Sequence, residues 1–181
     1  MTAETKPDPL PREEELAVSH EPFENFYRRE FRDVVGLAYA LSGSRVGAED
    51  LAQEAFVAAH QRWDRIGGYD KPEAWVRRVV SNLAISGFRR RAAETKAMAR
   101  LAGQRRQPLP EMEPEDEEFW KTVRQLPKRQ AQAIALFYVE DRSVAEISEI
   151  LDCSESTAKV HLFRGRQALA AKLGLEVSDE S

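Results

Sequence analysis

Apolar residues in this chain recur at spacings of three and four, and no stretch sustains a two-residue alternation. That period belongs to helices that bury one face, so the sequence predicts an all-α fold. Phe23, Phe26, Tyr27 and Phe31 share one helical face. Val34, Val35, Leu37, Ala38 and Leu41 continue the pattern until Ser42-Gly43-Ser44 ends it. A second helix is predicted from near Gly47 to Trp63, with Leu51, Ala55, Ala58/Ala59 and Arg62/Trp63 as its buried stripe. Gly67 to Lys71 reads as a loop. A third helix runs from Pro72 past Arg91, its proline in the first turn where a missing N–H is harmless. Trp75, Val79, Leu83 and Gly87/Phe88 are expected to face inward.

Gly103, Pro108, Pro110 and Pro114 then interrupt the helical pattern. It resumes with Phe119, Trp120, Val123 and Leu126, stopped by Pro127, and with Ala131, Ile134, Ala135 and Phe137/Tyr138. The chain is therefore expected to form two small helical domains, 21–96 and 118–174, joined by a flexible linker, 97–117. A disordered tail is expected over 1–20, which is rich in Pro and Glu, and an acidic tail over 175–181.

Val144 to Arg166 is the segment with the clearest chemistry. It reads as a short acidic helix, a tight turn around Cys153, and a second helix that starts at the N-cap Ser154 and grows basic. This is the pattern of a helix-turn-helix, whose second helix enters the DNA major groove. On a helical wheel, Ala158, Leu162, Gly165 and Leu169 fall together and should face the core. The opposite face offers Ser156, Lys159, Val160, Phe163 and Arg164. Lys and Arg bond guanine edges or phosphates, and apolar groups touch thymine methyls.

Charge is segregated along the chain, which the net value of -4 conceals. Lys71 to Arg106 carries ten Lys or Arg against two Glu, with Trp75, Asn82 and Phe88 interleaved. Glu111 to Glu118 holds six acidic residues and no basic one. A basic nucleic-acid surface beside acidic tethers accounts for this pattern. A single cysteine leaves no disulfide framework or cysteine-based metal cluster, and no apolar run approaches the roughly 20 residues of a membrane span. With no signal pattern at Met1, the expected compartment is the cytoplasm. Cys153 is expected to be a small buried residue. His20, His60 and His161 are scattered, and no Gly-rich phosphate loop occurs. The residues thus predict neither an enzyme nor a cofactor-binding protein.

The run Asp50-Leu-Ala-Gln-Glu-Ala-Phe56, then Trp63-Asp64, then Ala74-Trp-Val-Arg-Arg-Val-Val-Ser-Asn-Leu-Ala84 with Arg89-Arg-Arg91, resembles region 2 of bacterial sigma factors. Leu126-Pro-Lys-Arg-Gln130, Phe137-Tyr-Val-Glu140 and Val144 to Ser154 resemble region 4. The subgroup with only these two regions is the extracytoplasmic-function (ECF) type. The resemblance spans about residues 21 to 173.

That resemblance implies a sigma factor that binds core RNA polymerase and directs transcription initiation from minus-10 and minus-35 promoter elements. Asp50, Gln53 and Glu54 would dock on the β′ clamp helices, with Phe56 in the core, and region 4 would meet the β flap. Asn82 would read a flipped minus-10 base, walled by Ile66 and Val79, with the loop Gly67 to Lys71 setting which base fits. Arg77 and Arg78 would face the DNA backbone, and Arg89, Arg90 and Arg91 would hold phosphates. Ser156, Thr157, Lys159, Val160, Phe163 and Arg164 would read the minus-35 duplex. An anti-sigma protein covering both regions is a further implied partner. Ile85-Ser86 stands where many members carry an acid, and Ala158 and Val160 replace commoner Val and a small polar residue. The acidic linker would lie in the polymerase's RNA path or act as a plain spacer. The alternative function is a conventional helix-turn-helix regulator that binds a duplex without polymerase.

Overall fold

A computed structural model describes residues 21–98 and 114–174, with side chains described for 21–90 and 116–174. The predicted tails, and the linker from 99 to 113, lie outside the described residues. Among the described residues the chain forms eight α-helices and no strand. They are α1 (Phe23–Ser42), α2 (Arg45–His60), α3 (Trp63–Ile66), α4 (Pro72–Met98), α5 (Pro114–Val123), α6 (Lys128–Glu140), α7 (Val144–Leu151) and α8 (Glu155–Leu173). No helix among them is long and apolar enough to cross a membrane.

Helix ends follow local chemistry. Ser44 caps α2 by accepting from the Gly47 N–H at 3.2 Å, which sets its start two residues before the expected Gly47. Ser143 and Glu146 form a reciprocal capping box on α7. Ser154 accepts from the Thr157 N–H at 3.1 Å and opens α8 as predicted. Gly43 ends α1 in the left-handed region at φ 70°. Asp141 and Asp152 end α6 and α7 the same way, at φ 51° and 56°. Aspartate is among the few non-glycine residues that enter that region routinely.

The N-terminal module is built on α1, which lies along α4 and α2. Phe23, Phe26, Tyr27, Phe31, Phe56 and Trp63 form one aromatic cluster, with neighbouring rings mostly in edge-to-face or tilted contact. The short helix α3, absent from the sequence reading, carries Trp63 into this cluster; its indole N–H donates to the Glu21 carbonyl. The buried stripe of α2 is Ala48, Ala52, Ala55, Phe56 and Ala59, so Leu51 and Ala58 are only half-buried and Arg62 is exposed. The stripe is turned because Phe56, rather than Leu51, fills the aromatic core.

The inner face of α4 also differs from the expected Trp75, Val79 and Leu83, which are half-buried. Val76, Val80 and Ala84 are buried, and so are Arg77, Ser81 and Ile85, one residue further round. The physical reason is that α4 has neighbours on two sides. It packs on α1 and α2, and it also packs on α7 of the C-terminal module. In that module α8 lies against α6 and α7, and α6 runs along α1. Ala131 to Leu136 of α6 are buried on every side of the helix. A single cluster of buried side chains joins both modules.

Candidate nucleic-acid interface

The recognition helix has the predicted register. Ala158, Leu162, Gly165 and Leu169 are buried, while Ser156, Thr157, Lys159, Val160, Phe163 and Arg164 are exposed. Gly165 lets α8 approach α6 closely: a Cβ there would lie 2.8 Å from Ile134 Cγ1. Phe163 and Val160 remain 53% and 43% exposed, an unusual cost for large apolar groups on a solvated face. The Ser156 and Thr157 hydroxyls lie 2.9 and 2.8 Å from the Ser154 hydroxyl, so they also serve the helix start. Positive charge is dense here. Burial first, then the neighbouring charges of Arg129 and Arg164, hold His161 below its ordinary pKa. Cys153, in the turn between α7 and α8, is half-buried.

Asp50, Gln53 and Glu54 are exposed on α2, spaced to share one face. Val46 and Val57, 76% and 56% exposed, extend that face at both ends. The sequence reading missed these two valines, although they sit four residues before Asp50 and seven after it. Their apolar character at surface positions of a helix is the signal that could have found them.

The α4 residues are placed differently from expectation. Asn82 is half-buried, and its Oδ1 accepts from Nε2 of Gln132 on α6 at 3.0 Å. The same Gln132 nitrogen donates to Ser81 Oγ at 2.9 Å. Val79 is half-buried beside them, but Ile66 is a core residue with no exposed face. Arg77 does not face outward. Its side chain is 0% exposed, sandwiched between Glu30 of α1, at 2.8 Å, and Glu140 of α6. Burial pushes the Glu30 carboxyl up, but hydrogen bonds from Arg29 and Arg77 outweigh this and hold it below the usual range. Arg78 donates to the carbonyls of Ile150 and Glu149, both at 2.8 Å, and pairs with Asp152 at 3.3 Å. It therefore caps the C-terminal end of α7, where cations are favoured. Lys71, in the loop before α4, pairs with Glu149 at 2.6 Å. Arg89 and Arg90 are exposed, and Arg91 continues the helix.

Gln132, Glu140 and Glu30 escaped the sequence reading. Gln132 and Glu140 interrupt or end an otherwise apolar helical stretch, which is the available signal, since a buried polar group requires a partner; Glu30 stands among charged residues and carries no such signal.

Two family models match this chain: Sigma-70 region 2 over residues 26–94 and Sigma-70, region 4 over residues 116–169. The ECF RNA polymerase sigma factor SigW of Bacillus subtilis is 32% identical over 151 residues, covering 76% of this chain and 81% of SigW. This chain belongs to the ECF RNA polymerase sigma factors. The ECF RNA polymerase sigma-E factor of Escherichia coli is 28% identical over 138 residues, covering 68% of this chain and 72% of that one. Among solved structures, the sigma factor RpoE of Bartonella quintana, crystallised with the anti-sigma factor NepR, superposes with a TM-score of 0.62 at 23% identity. The match covers 86% of this chain and 98% of RpoE. CnrH, solved with the cytosolic domain of CnrY, superposes with a TM-score of 0.59 at 22% identity, covering 84% and 87%.

The regions can now be named on the fold. Region 2 occupies α1 to α4 and region 4 occupies α5 to α8. As a sigma factor, the protein directs RNA polymerase to promoters. Three surfaces of different chemistry lie on it: a mixed acidic and apolar face on α2, a polar and cationic stretch on α4, and a cationic and apolar face on α8. Among the described residues, the α4 stretch is engaged by region 4 at Arg77, Arg78 and Asn82, and so is Lys71 in the loop before it.

Proposed function

We propose that these three surfaces divide the work of a sigma factor between core polymerase, a melted minus-10 strand and a minus-35 duplex, with no chemistry of its own. The carrying observation is the exposed face of α8, where Lys159 and Arg164 flank the apolar Val160 and Phe163. Cations meet phosphate or guanine there, and the apolar pair meets thymine methyls. Ser156 and Thr157 contribute at the helix start, where backbone N–H groups attract phosphate.

Asp50, Gln53 and Glu54 present acceptors to the β′ clamp helices, and Val46 and Val57 add apolar contact at either end. Asn82 reads a flipped minus-10 base, with Val79 beside it and Ile66 supporting α3 from within the core. Arg78, Arg89, Arg90 and Arg91 hold phosphates once the strand is bound; Arg77 serves the fold of the pocket from beneath. The two modules, expected as 21–96 and 118–174, act in tandem, with α4 and α5 reaching into the expected 97–117 linker as far as Met98 and from Pro114, and region 4 meets the β flap. The compartment is the cytoplasm, where polymerase is found. RpoE of Bartonella quintana was solved with the anti-sigma factor NepR, and an anti-sigma factor is proposed here as well. A conventional regulator that acts without polymerase is not favoured, because both family models match in the order found in ECF sigma factors.

The test is reconstitution with core polymerase and run-off transcription on promoters mapped by start-site sequencing. Core binding with promoter-dependent transcripts is expected. Tight palindromic-duplex binding without any affinity for core would overturn the reading. Asn82→Ala should impair open-complex formation while leaving upstream duplex contact intact.

A further inference from the structure

We propose that His161 is a proton-coupled phosphate contact: with Arg129 of α6 and Arg164 of α8 it holds a backbone phosphate beside the minus-35 element and takes up a proton as it does so. The proposal rests on the reading of α8 as the minus-35 helix.

The packing of α8 on α6 sets where His161 lies. Gly165 faces Gln130 and Ile134 of α6, and one residue on, the Arg166 guanidinium stacks 4.6 Å from the Phe137 ring centre. Along their contact the two helices therefore advance in the same direction. One turn before Gly165, His161 comes to the start of α6, where Arg129 stands. On a wheel of about 100° per residue His161 shares a stripe with Thr157 and Arg164. That stripe runs between the buried set Ala158, Leu162, Gly165 and Leu169 and the exposed Val160 and Phe163. A helix with its side chains is about 10–12 Å across and the major groove about 12 Å wide, so the flanks of an inserted helix lie against the phosphate backbones.

The imidazole has nothing to bind within the chain. It is half-buried and makes no hydrogen bond or ion pair with another described residue. Its ring nitrogens are not among the atoms sealed from solvent, so a ligand can reach them. The charges that act on it are two cations, Arg129 from α6 and Arg164 from α8; α5 and α7, which also pack on α8, contribute none. Both arginines are exposed, and neither is paired with a carboxylate among the described residues. Arg129 makes one long hydrogen bond, to Gln132 Oε1 at 3.4 Å. Two guanidinium groups beside an unpartnered imidazole are short of an anion, and a phosphate supplies it.

The sign of the proton linkage follows. In the free chain, burial and the two arginines oppose charge on His161 and hold it neutral down past its ordinary value of 6.5. A bound phosphate cancels the repulsion and accepts the imidazole N–H, which favours the charged form. The proton comes from solvent, and the phosphate diester stays an anion. Duplex affinity therefore rises as pH falls through the interval between the bound and free values, by up to about tenfold per pH unit.

Holoenzyme reconstituted with the full chain tests this, on a fluorescein-labelled duplex that carries a mapped minus-35 element and ends upstream of the minus-10 element. Between about pH 8 and about pH 6, wild-type affinity should rise roughly tenfold. His161→Gln should lose that rise, and His161→Arg should bind at the higher pH about as tightly as wild type does at the lower. Arg129→Gln should weaken binding. Calorimetry in two buffers of different ionisation enthalpy should show proton uptake on duplex binding by wild type that His161→Gln lacks. A histidine with a merely structural role would leave that uptake unchanged. A pH profile shared by wild type and His161→Gln, or equal proton uptake by both, overturns the proposal. The α8 reading fails separately, if Lys159→Ala and Phe163→Ala leave affinity for this duplex intact at every pH.

Discussion

Two glycines, each inside a helix, should respond oppositely to the same substitution. Gly87 lies in α4, and a Cβ placed on it meets nothing within 4 Å. Gly165 lies in α8, where a Cβ would sit 2.8 Å from Ile134 Cγ1 and 3.2 Å from Cδ1. Ordinary carbon contacts are about 3.5–4.0 Å, so one helix must retreat by several tenths of an ångström or more. Ile134 cannot swing aside easily: it is β-branched and fully buried among α6 residues that are themselves enclosed. Overpacking of this kind costs about 1–3 kcal/mol. Alanine returns about 0.8–1 kcal/mol of helix propensity at either site. Gly87→Ala should therefore stabilise by about 1 kcal/mol, and Gly165→Ala should destabilise by up to about 2 kcal/mol. Urea unfolding followed by circular dichroism gives both values. The displaced α8 should also weaken minus-35 duplex contact in the holoenzyme. Equal stabilisation by both substitutions would refute the close α6–α8 packing inferred at Gly165.

Other substitutions probe the charged groups. The Glu146 carboxyl is drawn down to about 2 by hydrogen bonds from the Ser143 backbone and side chain and from Arg142. A depressed carboxylate stabilises the fold above its unfolded pKa, and that contribution is lost as pH falls toward 2. Acid titration of wild type against Glu146→Gln should show the variant losing less stability between about pH 4.5 and 2; identical curves would sink the assignment, and the exposed position keeps the difference small. Arg77→Met leaves Glu30 and Glu140 buried without their shared cation and should cost about 3–5 kcal/mol in urea unfolding. Adding Glu140→Leu should recover part of this loss, and a double variant as unstable as the sum of its parts would refute the pairing. Lys159→Ala should lower the salt dependence of minus-35 duplex binding by about one counterion without changing core affinity; an unchanged slope would show that Lys159 does not touch phosphate.

The helix-turn-helix was legible because each of its parts is local. Ser154, the buried set Ala158, Leu162, Gly165 and Leu169, and the exposed cations need only a helix with one packed face. α1 was legible for the same reason. α4 was not, and its misreading by one residue has a physical origin. A helix packed on two sides has no single apolar stripe: Val76, Val80 and Ala84 serve region 2, whereas Arg77 and Ser81 meet partners on α6. Averaging the two directions pointed to Trp75, Val79 and Leu83, which lie partly at the surface. Arg77 belongs to the core only because Glu30 lies 47 positions away and Glu140 lies 63 positions away. No local pattern encodes pairings at such separations.

The contact between the two regions has an apolar part and a polar part. Its apolar part is α6 lying along α1, where the buried cluster runs through both modules. Its polar part joins Arg77, Arg78, Lys71 and Asn82 of region 2 to carboxylates, carbonyls and the Gln132 amide of region 4. The solvent-accessible contacts of Arg78 and Lys71 exchange for water at little cost, whereas the buried Arg77–Glu140 pair does not. α4 reads as a DNA-binding helix from its sequence because cations and an amide recur along it, whereas in the folded chain Arg77, Arg78 and Asn82 meet groups of region 4.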